Sequence, residues 1–255
     1  MNILAIDVGG SHVKALATGQ TEKIKIDSGP DMTPDAMATE VVAAIAGWAY
    51  DVVSIGYPGV VIKDKPMLEP SNLGHGWVGF NYQKAFGKPV RMVNDAAMQA
   101  LGSYKGGRML FLGLGTGLGS ALIIDDVLQP MELAHLPYRK GSTYEDYVGK
   151  RGLDRLGKAR WREHVAVVVK LLQQALCADY VILGGGNAEK VKVLPENVFL
   201  GHNEAAFTGG FRLWTDRFGN AVQEPAPDSP VAIPQPEEMK DAPREVPTEV
   251  PPANV

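Results

Sequence analysis

The sequence predicts an α/β protein in which two related domains face each other across a cleft. Two observations predict this class: short apolar strand patterns alternate with helical ones, and one strand–turn–strand unit occurs twice. Residues 3–11 and 109–117 both join an apolar strand to a glycine-containing turn, at an offset of 106 residues. Repetition of a whole supersecondary unit indicates an internally duplicated architecture. We expect domains at residues 1–105 and 106–202, with a last helix at about 203–214 joining the first domain.

The first half of the chain carries clear strand and helix signals. Residues 3–6 are continuously apolar, as a strand buried on both faces requires, and a second strand over 11–17 follows a glycine turn. Residues 34–50 are predicted to form a helix, because Thr33 can cap it and Pro34 suits its first position. Further strands are predicted at residues 52–55 and 90–93, and a further helix at 96–101.

The second half repeats this pattern and extends it. Residues 109–114 and 119–124 are predicted strands on either side of a turn, and residues 180–183 are a third apolar strand. We expect a helix from about residue 188, before the last helix. Strands alternating with helices favour an α/β sheet protein over an all-α or all-β one.

The C-terminal segment differs in composition from the rest of the chain. Nine of the 18 prolines lie between Pro225 and Pro252, among few aromatic residues. Such a stretch cannot bury enough apolar area to offset its ordering entropy, so we expect disorder over residues 218–255. Seven acidic and two basic residues lie from residue 220 onward, which leaves 23 basic and 22 acidic residues in the remainder. A nearly neutral folded part gives no reason to expect nucleic-acid binding.

Cysteine content and hydropathy favour a cytoplasmic protein. The chain has one cysteine, Cys177, so it has no internal disulfide, which fits a reducing compartment. The N-terminus shows no signal-peptide pattern, and no apolar run approaches the roughly 20 residues that span a bilayer. We therefore expect no membrane partner.

Three glycine turns follow apolar strands, at Gly9-Gly10-Ser11, Gly115-Thr116-Gly117 and Gly184-Gly185-Gly186. Glycine lets backbone N–H groups approach an anion closely, because no Cβ intervenes. One such turn is often a plain hairpin, but three in a short chain favour a polyphosphate ligand. The first two connect strand to strand, whereas a P-loop or a dinucleotide fold runs from strand to helix. Both of those classes are therefore disfavoured.

Two carboxylates stand beside these turns. Asp7 ends an apolar strand, where a carboxylate is costly unless it is paired, hydrogen-bonded or near a metal, and Mg²⁺ is the natural partner beside a phosphate; a purely structural role is the alternative. Asp95 lies where a strand meets a helix and is predicted to be a general base for a hydroxyl nucleophile, or else a helix N-cap. Asn94 offers a donor and an acceptor for a sugar diol. Lys14 could face phosphate or solvent.

Five motifs follow one another along the chain: Asp7–Ser11, Asn94-Asp95, Leu114–Gly117, Glu132–His135 and Gly184–Asn187. Together they resemble the motifs of ROK-family sugar kinases, and within that family they are most similar to those of polyphosphate glucokinases. The resemblance covers about residues 1–214. It implies an actin-like ATPase (ribonuclease H-like) fold, a homodimer, glucose or a related hexose as substrate, Mg²⁺, and ATP or polyphosphate as phosphoryl donor.

The resemblance also implies residue roles. Asp95 would deprotonate the sugar 6-hydroxyl, and Asp7 would assist Mg²⁺ through water. The sugar would be held by the following residues: Asn94, Glu132, His135 and Glu145, with Gly59 and Asn72 as weaker candidates. The phosphates would be held by Gly9, Gly10, Ser11, Gly115, Thr116 and Gly117. The nucleoside would lie against Gly184, Gly185, Gly186 and Asn187.

The chain departs from the family pattern between His135 and Glu145. Many members carry a cysteine-rich zinc motif there, but the only cysteine here is Cys177, so we expect no zinc bound by thiolates. Polyphosphate glucokinases resemble this chain in lacking those cysteines. Eight basic residues between Arg139 and Arg162 could guide a polyanion or simply form a solvated face. A kinase for another hexose (N-acetylmannosamine, N-acetylglucosamine or fructose) and a non-catalytic sugar sensor remain alternatives.

Overall fold

The computed structural model describes residues 1–202 and 204–215. These residues fall within one compact unit that contains two five-stranded sheets. The predicted disorder of residues 218–255 lies outside the described residues. The domain boundaries at residues 105 and 202 stay predictions, although each sheet draws its strands from one side of residue 105.

The first sheet is built from the N-terminal half of the chain. Its first strand is buried at five of its six positions, as the continuous apolar run requires. The elements are β1 (Ile3–Val8), β2 (His12–Ala17), β3 (Ile24–Asp27), α1 (Pro34–Ala44), β4 (Val52–Tyr57), β5 (Val61–Ile62), β6 (Lys65–Pro66), α2 (Tyr82–Phe86), β7 (Val90–Asn94) and α3 (Asp95–Ser103). The strand order is β3-β2-β1-β4-β7, and β5 pairs only with β6 in a small hairpin.

The second sheet is built from the C-terminal half. Its elements are β8 (Arg108–Leu114), β9 (Leu118–Ile124), β10 (Val127–Met131), β11 (Pro137–Arg139), β12 (Ser142–Thr143), α4 (Tyr144–Val148), α5 (Lys150–Ala175), β13 (Tyr180–Gly184), a 3₁₀ turn (Ala188–Lys190), β14 (Val198–Leu200) and α6 (Ala205–Arg212). The strand order is β10-β9-β8-β13-β14, with β11 and β12 in a separate hairpin.

The two sheets share one topology, which confirms the duplication that the sequence predicts. In each, the first strand pairs antiparallel with the second and parallel with the fourth; the second pairs antiparallel with the third, and the fourth parallel with the fifth. Asp7 of β1 pairs with Gly56 of β4, and Gly113 of β8 pairs with Gly184 of β13. Asp7 and Gly113 therefore occupy equivalent positions, as the sequence alignment of the two hairpins predicts.

Each sheet packs against helices through its own apolar cluster. Trp77 lies in the cluster of the first sheet and Trp161 in that of the second, and both side chains are completely buried. Both are therefore packing residues of the two cores. The indole N–H of Trp161 donates to the Val148 carbonyl over 2.8 Å, which ties the long α5 to the short α4.

Helices α3 and α6 cross at very short range and connect the two sheets. A Cβ at Gly209 would collide with the Met98 carbonyl, and a Cβ at Gly119 would lie 2.7 Å from the Cβ of Ala96, so glycine is what permits α3 to approach both α6 and β9. The Arg212 guanidinium donates to carbonyls at the end of α3, including Leu101 at 2.6 Å. Because α3 begins at Asp95, these contacts fix the position of that carboxylate.

Two predicted helices are shorter in the structure. The helix predicted at 34–50 ends at Ala44, because Gly47 adopts a φ of 88°, a left-handed conformation that ends a helix. The helix predicted from residue 188 is a single 3₁₀ turn, because Val191, directly after it, has an extended backbone with a φ of −79° and a ψ of 103°. The last helix, predicted at 203–214, spans Ala205–Arg212.

The helices of the described ranges include α5, whose 26 residues are divided by a kink at Gly157, where φ is 73° and ψ is 162°. Neither α5 nor any other helix in those ranges combines the length and the apolar character that crossing a bilayer demands.

Candidate active site

Asp7 and Lys14 form a charged pair at one edge of the first sheet. The β1–β2 hairpin pairs the two residues directly, so both side chains point to the same face. The Lys14 ammonium lies 3.9 Å from Asp7 Oδ2, and the Asp7 side chain is only 17% exposed. Burial raises the pKa of Asp7, and the Lys14 charge partly offsets that rise. The pair is the first element of a site.

The Gly9–Ser11 turn lies against a loop of the first half. The Gly9 N–H donates to the His12 carbonyl over 3.0 Å, and the Ser28 hydroxyl donates to the Gly9 carbonyl over 2.6 Å, which holds the turn in shape. A Cβ at Gly10 would lie 3.0 Å from the Cβ of Asn72. The structure therefore brings Asn72 to the predicted phosphate turn.

Asn94 rather than Asp95 is the N-cap of α3. Asn94 Oδ1 accepts the N–H groups of Ala96 at 2.9 Å and Ala97 at 3.3 Å, while Asn94 Nδ2 donates to the Gly59 carbonyl at 3.1 Å. These three bonds use the amide oxygen and one of its two N–H groups. The alternative interpretation of Asp95 as a simple cap is therefore wrong, and Asn94 and Gly59 lie together as one unit.

Asp95 is a carboxyl group with a strongly shifted acidity. Its Oδ1 accepts the Ala96 N–H over 2.8 Å. Burial raises the pKa of Asp95 to about 7; the Asp7 charge and, to a smaller extent, the Glu132 charge add to the rise, while the Ala96 N–H opposes it. The influence of both the Asp7 and the Glu132 charge on Asp95 indicates that the three carboxylates belong to one site. A group poised near neutral pH is suited to accept a proton.

The three charged residues predicted to hold the sugar also lie close together. Burial raises the pKa of Glu132, His135 lowers it, and Glu145 raises it again, so the three side chains interact. The Glu145 N–H donates to the Ala134 carbonyl over 3.0 Å, which ties the first turn of α4 to the segment between Glu132 and His135. Of these three residues, Glu132 is the one that interacts electrostatically with Asp95.

The two glycine turns of the second sheet stack on each other. Asn187 donates its backbone N–H to the Leu114 carbonyl at 2.8 Å and its side-chain N–H to the Gly115 carbonyl at 3.1 Å. Gly185 has a φ of 80°, and a Cβ there would meet the Leu114 backbone at 2.7 Å, so only glycine permits this contact. The turns at 115–117 and 184–187 thus form one wall.

A pocket of about 450 Å³ lies between the turn at Gly184–Gly186 and the charged pair. It is lined by Asp7, Lys14, Gln99, Gly184, Gly185, Gly186, Ala188, Glu189, Leu200, Gly201, His202 and Ala206. The predicted metal residue and the predicted nucleoside turn therefore border one cavity. The sequence allows Lys14 to face either phosphate or solvent. The feature that indicates its position at the pocket is the hairpin register, which places it opposite Asp7. His202 also lines the pocket, and only the tertiary structure brings it there.

The residues around Asp7 fit a metal ion held largely by ligands from the substrate. Among residues 1–202 and 204–215, no group of three or more His, Cys, Asp or Glu side chains could form a metal cage. Mg²⁺ usually keeps several waters and needs only one or two carboxylates beside phosphate oxygens. Asp7, a nearly buried carboxylate at the edge of the pocket, suits that mode of binding.

The predicted basic strip on α5 is partly neutralised by local acids. Lys150 pairs with Asp154 at 2.5 Å, and Arg151 lies 3.5 Å from Glu145 Oε1 and 3.4 Å from Asp146 Oδ1. Arg155 donates to the Asp146 carbonyl over 2.8 Å. A paired charge attracts a polyanion less than a free one, so the strip gives only weak support for a polyphosphate track.

The sequence relatives point to one class of enzyme. Residues 3–130 match the model of the ROK family. A polyphosphate glucokinase of Mycobacterium tuberculosis is 28% identical over 215 residues, covering 72% of this chain and 77% of the relative. A polyphosphate glucokinase of Mycobacterium leprae is 31% identical over 209 residues, covering 72% of this chain and 63% of the relative.

Solved structures agree on the fold. The inorganic polyphosphate/ATP-glucomannokinase of Arthrobacter sp. strain KM superposes with a TM-score of 0.70 at 24% identity, over 82% of this chain and 96% of that one. A ROK-family glucokinase of Streptomyces griseus, in complex with glucose and AMPPNP, superposes with a TM-score of 0.65 at 16% identity, over 84% and 99%. The fold is that of the actin-like ATPases, and the chain belongs to the ROK family.

Proposed function

We propose that this ROK-family chain is a glucokinase that transfers a phosphoryl group from inorganic polyphosphate or ATP to the 6-hydroxyl of glucose, with Asp95 as the general base. The observation that carries the proposal is the position of Asp95. Its carboxyl group has a pKa raised to about 7 and lies within the electrostatic reach of both Asp7, which borders the glycine-lined pocket, and Glu132. The hexose-kinase class is supported by the polyphosphate glucokinase and glucokinase relatives.

The proposed reaction is an in-line phosphoryl transfer. Asp95 accepts the proton of the sugar 6-hydroxyl, the hydroxyl oxygen attacks the terminal phosphorus, and the bridging P–O bond of the donor breaks, releasing the shortened donor. Mg²⁺, if bound beside Asp7, would neutralise charge on the donor phosphates. The Lys14 ammonium, 3.9 Å from Asp7, supplies a positive charge at the same place.

Sugar recognition is assigned to a rim of polar groups around Asp95. Asn94 keeps one amide N–H for a hydroxyl group, because its other hydrogen-bonding groups hold Gly59, Ala96 and Ala97. Glu132, His135 and Glu145 are proposed to hold the ring. Gly59, which accepts an N–H from Asn94, and Asn72, which lies against Gly10, are proposed as further sugar contacts.

Donor phosphates are assigned to the glycine turns. Gly9, Gly10 and Ser11 would hold the phosphoryl group in transfer, and residues 115–117 would hold the rest of the phosphate chain through backbone N–H groups. Residues 184–187 would border the nucleoside of ATP. A homodimer in the cytoplasm is proposed from the family resemblance.

The proposal is tested by supplying glucose and Mg²⁺ with either ATP or long-chain polyphosphate, and measuring glucose 6-phosphate. We expect product with at least one donor, and the ratio of the two rates identifies the preferred one. A panel of N-acetylmannosamine, N-acetylglucosamine, fructose and mannose tests the sugar. Glucose bound in calorimetry, but phosphorylated by neither donor, would instead indicate a sugar sensor.

Replacement of the proposed base should separate chemistry from binding. In Asp95→Asn, Oδ1 can still accept the Ala96 N–H, but the side chain cannot take a proton. We expect kcat to fall by about 10²–10⁴-fold, while glucose affinity measured by calorimetry stays within about threefold. Turnover close to that of the wild type would show that another group is the base.

The raised pKa of Asp95 predicts the pH dependence of the rate. A carboxylic acid with a pKa of about 7 is ionised only above that value, so the base form is lost as the pH falls through 7. We expect kcat/KM to rise about tenfold per pH unit below 7 and to level off above it. An acidic limb centred near pH 4 would mean that a carboxylate of ordinary pKa controls the reaction.

Lys14 is predicted to act on the donor, not on the sugar. Lys14→Gln removes the positive charge at the pocket, so we expect at least a tenfold loss in kcat/KM for the donor and little change in glucose affinity. The matched control is Lys25→Gln, because Lys25 pairs with Lys14 on the neighbouring strand but does not line the pocket. Equal losses in both variants would show that the effect comes from the net charge of the protein and not from the position of Lys14.

A further inference from the structure

Glu145 lies between the proposed sugar site and the proposed donor turn. Its Oε2 accepts the Leu118 N–H over 3.2 Å, next to the turn at 115–117, and it fills the space that a Cβ at Gly117 would need. Its Oε1 lies 3.5 Å from Arg151 Nη2, and the side chain is 23% exposed. The carboxylate thus occupies the rim of a glycine turn.

A carboxylate in this position resembles a phosphate oxygen in charge and in hydrogen bonding. Backbone N–H groups at a glycine turn attract anions, and Glu145 already uses one such group and adds a negative charge beside the turn. A donor phosphate entering the turn would meet like-charge repulsion. The turn is therefore blocked, in part, by the protein's own anion.

The same carboxylate belongs to the group proposed to hold the sugar. Glu145 interacts electrostatically with Glu132, and its backbone N–H is bonded to the Ala134 carbonyl, between Glu132 and His135. Hydroxyl groups of a bound hexose would be donors for Glu145. Hydrogen bonds to the bound sugar would replace the bond that Glu145 makes with the Leu118 N–H. The Glu145 carboxylate would then leave the turn free for the donor.

We propose that Glu145 is a positioning residue that couples the two substrates: without sugar it occupies the donor turn, and with sugar it turns toward the hexose and admits the donor. This inference rests on the proposed function. This coupling suppresses hydrolysis of the donor. In that side reaction, water attacks the terminal phosphorus in place of the 6-hydroxyl, the bridging P–O bond breaks, and phosphate and the shortened donor leave. By linkage, donor must raise sugar affinity by the same factor as sugar raises donor affinity.

Gly117→Ala offers a selective perturbation. Gly117 does not have a positive φ, and the nearest atoms to the added methyl group are the carboxyl atoms of Glu145, at the end of a flexible side chain. The variant should therefore displace the carboxylate without straining the backbone and without removing it from the protein. Glu145→Gln is the complementary change, since it removes the charge and keeps the shape.

The experiment measures binding of inorganic tripolyphosphate, with Mg²⁺, by calorimetry in the presence and absence of glucose. For the wild type, we expect glucose to tighten tripolyphosphate binding at least tenfold. In Glu145→Gln, binding without glucose should tighten several-fold, and phosphate release without sugar should increase relative to turnover. In both Glu145→Gln and Gly117→Ala, the effect of glucose should fall below threefold. Asp154→Asn is the control, because it removes a nearby exposed charge that pairs with Lys150 and should behave as the wild type.

The outcomes separate this inference from the proposed function. If the wild type makes glucose 6-phosphate but binds tripolyphosphate equally well with and without glucose, the coupling is wrong and the glucokinase assignment stands. If Gly117→Ala and Glu145→Gln keep the full effect of glucose, Glu145 does not carry the coupling. If the wild type makes no glucose 6-phosphate from any donor, the proposed function itself fails, whatever the binding data show.

Discussion

The site depends on the placement of two carboxylates at the ends of parallel strands. Asp7 lies near the end of β1 and Asp95 directly after β7, and both strands flank β4, so their carboxyl ends meet at one edge of the sheet. Gly56 of β4 lies between them: it pairs with Asp7, and a Cβ there would lie 3.5 Å from the Asp95 Cα. Burial and mutual repulsion then raise the pKa of Asp95.

This arrangement has a thermodynamic cost. A carboxyl group whose pKa rises from 3.8 to about 7 on folding holds its proton more tightly in the native state. The native state therefore binds more protons than the unfolded chain between about pH 4 and 7, and this group's contribution to the free energy of unfolding falls as the pH rises through that range. The close crossing of α3 and α6 holds Asp95 in place despite that cost. The residue whose burial lowers the stability is thus the one proposed to act as the general base.

Much of the site could be predicted because it lies in short local motifs. The three glycine turns, Asp7 and Asp95 all occur where an apolar strand ends, and strand ends can be read from local hydrophobicity. Residues such as His202 could not be predicted, because the pocket joins it to Asp7 across nearly the whole described chain. Two helix ends could not be predicted, because the left-handed φ of Gly47 and the extended backbone of Val191 interrupt patterns that favour a longer helix.

The sequence by itself determined the duplicated α/β architecture, the strand-to-strand glycine turns and the family to which the chain belongs, because each follows from local patterns and their order. Only the tertiary structure decided that Asn94 caps α3, that Lys14 faces the pocket, and that Glu145 occupies the rim of the turn at 115–117. The physical reason is that a side chain's role depends on the hydrogen-bond partners and charges around it. Those neighbours are set by strand register and helix crossing rather than by the residue's position in the chain.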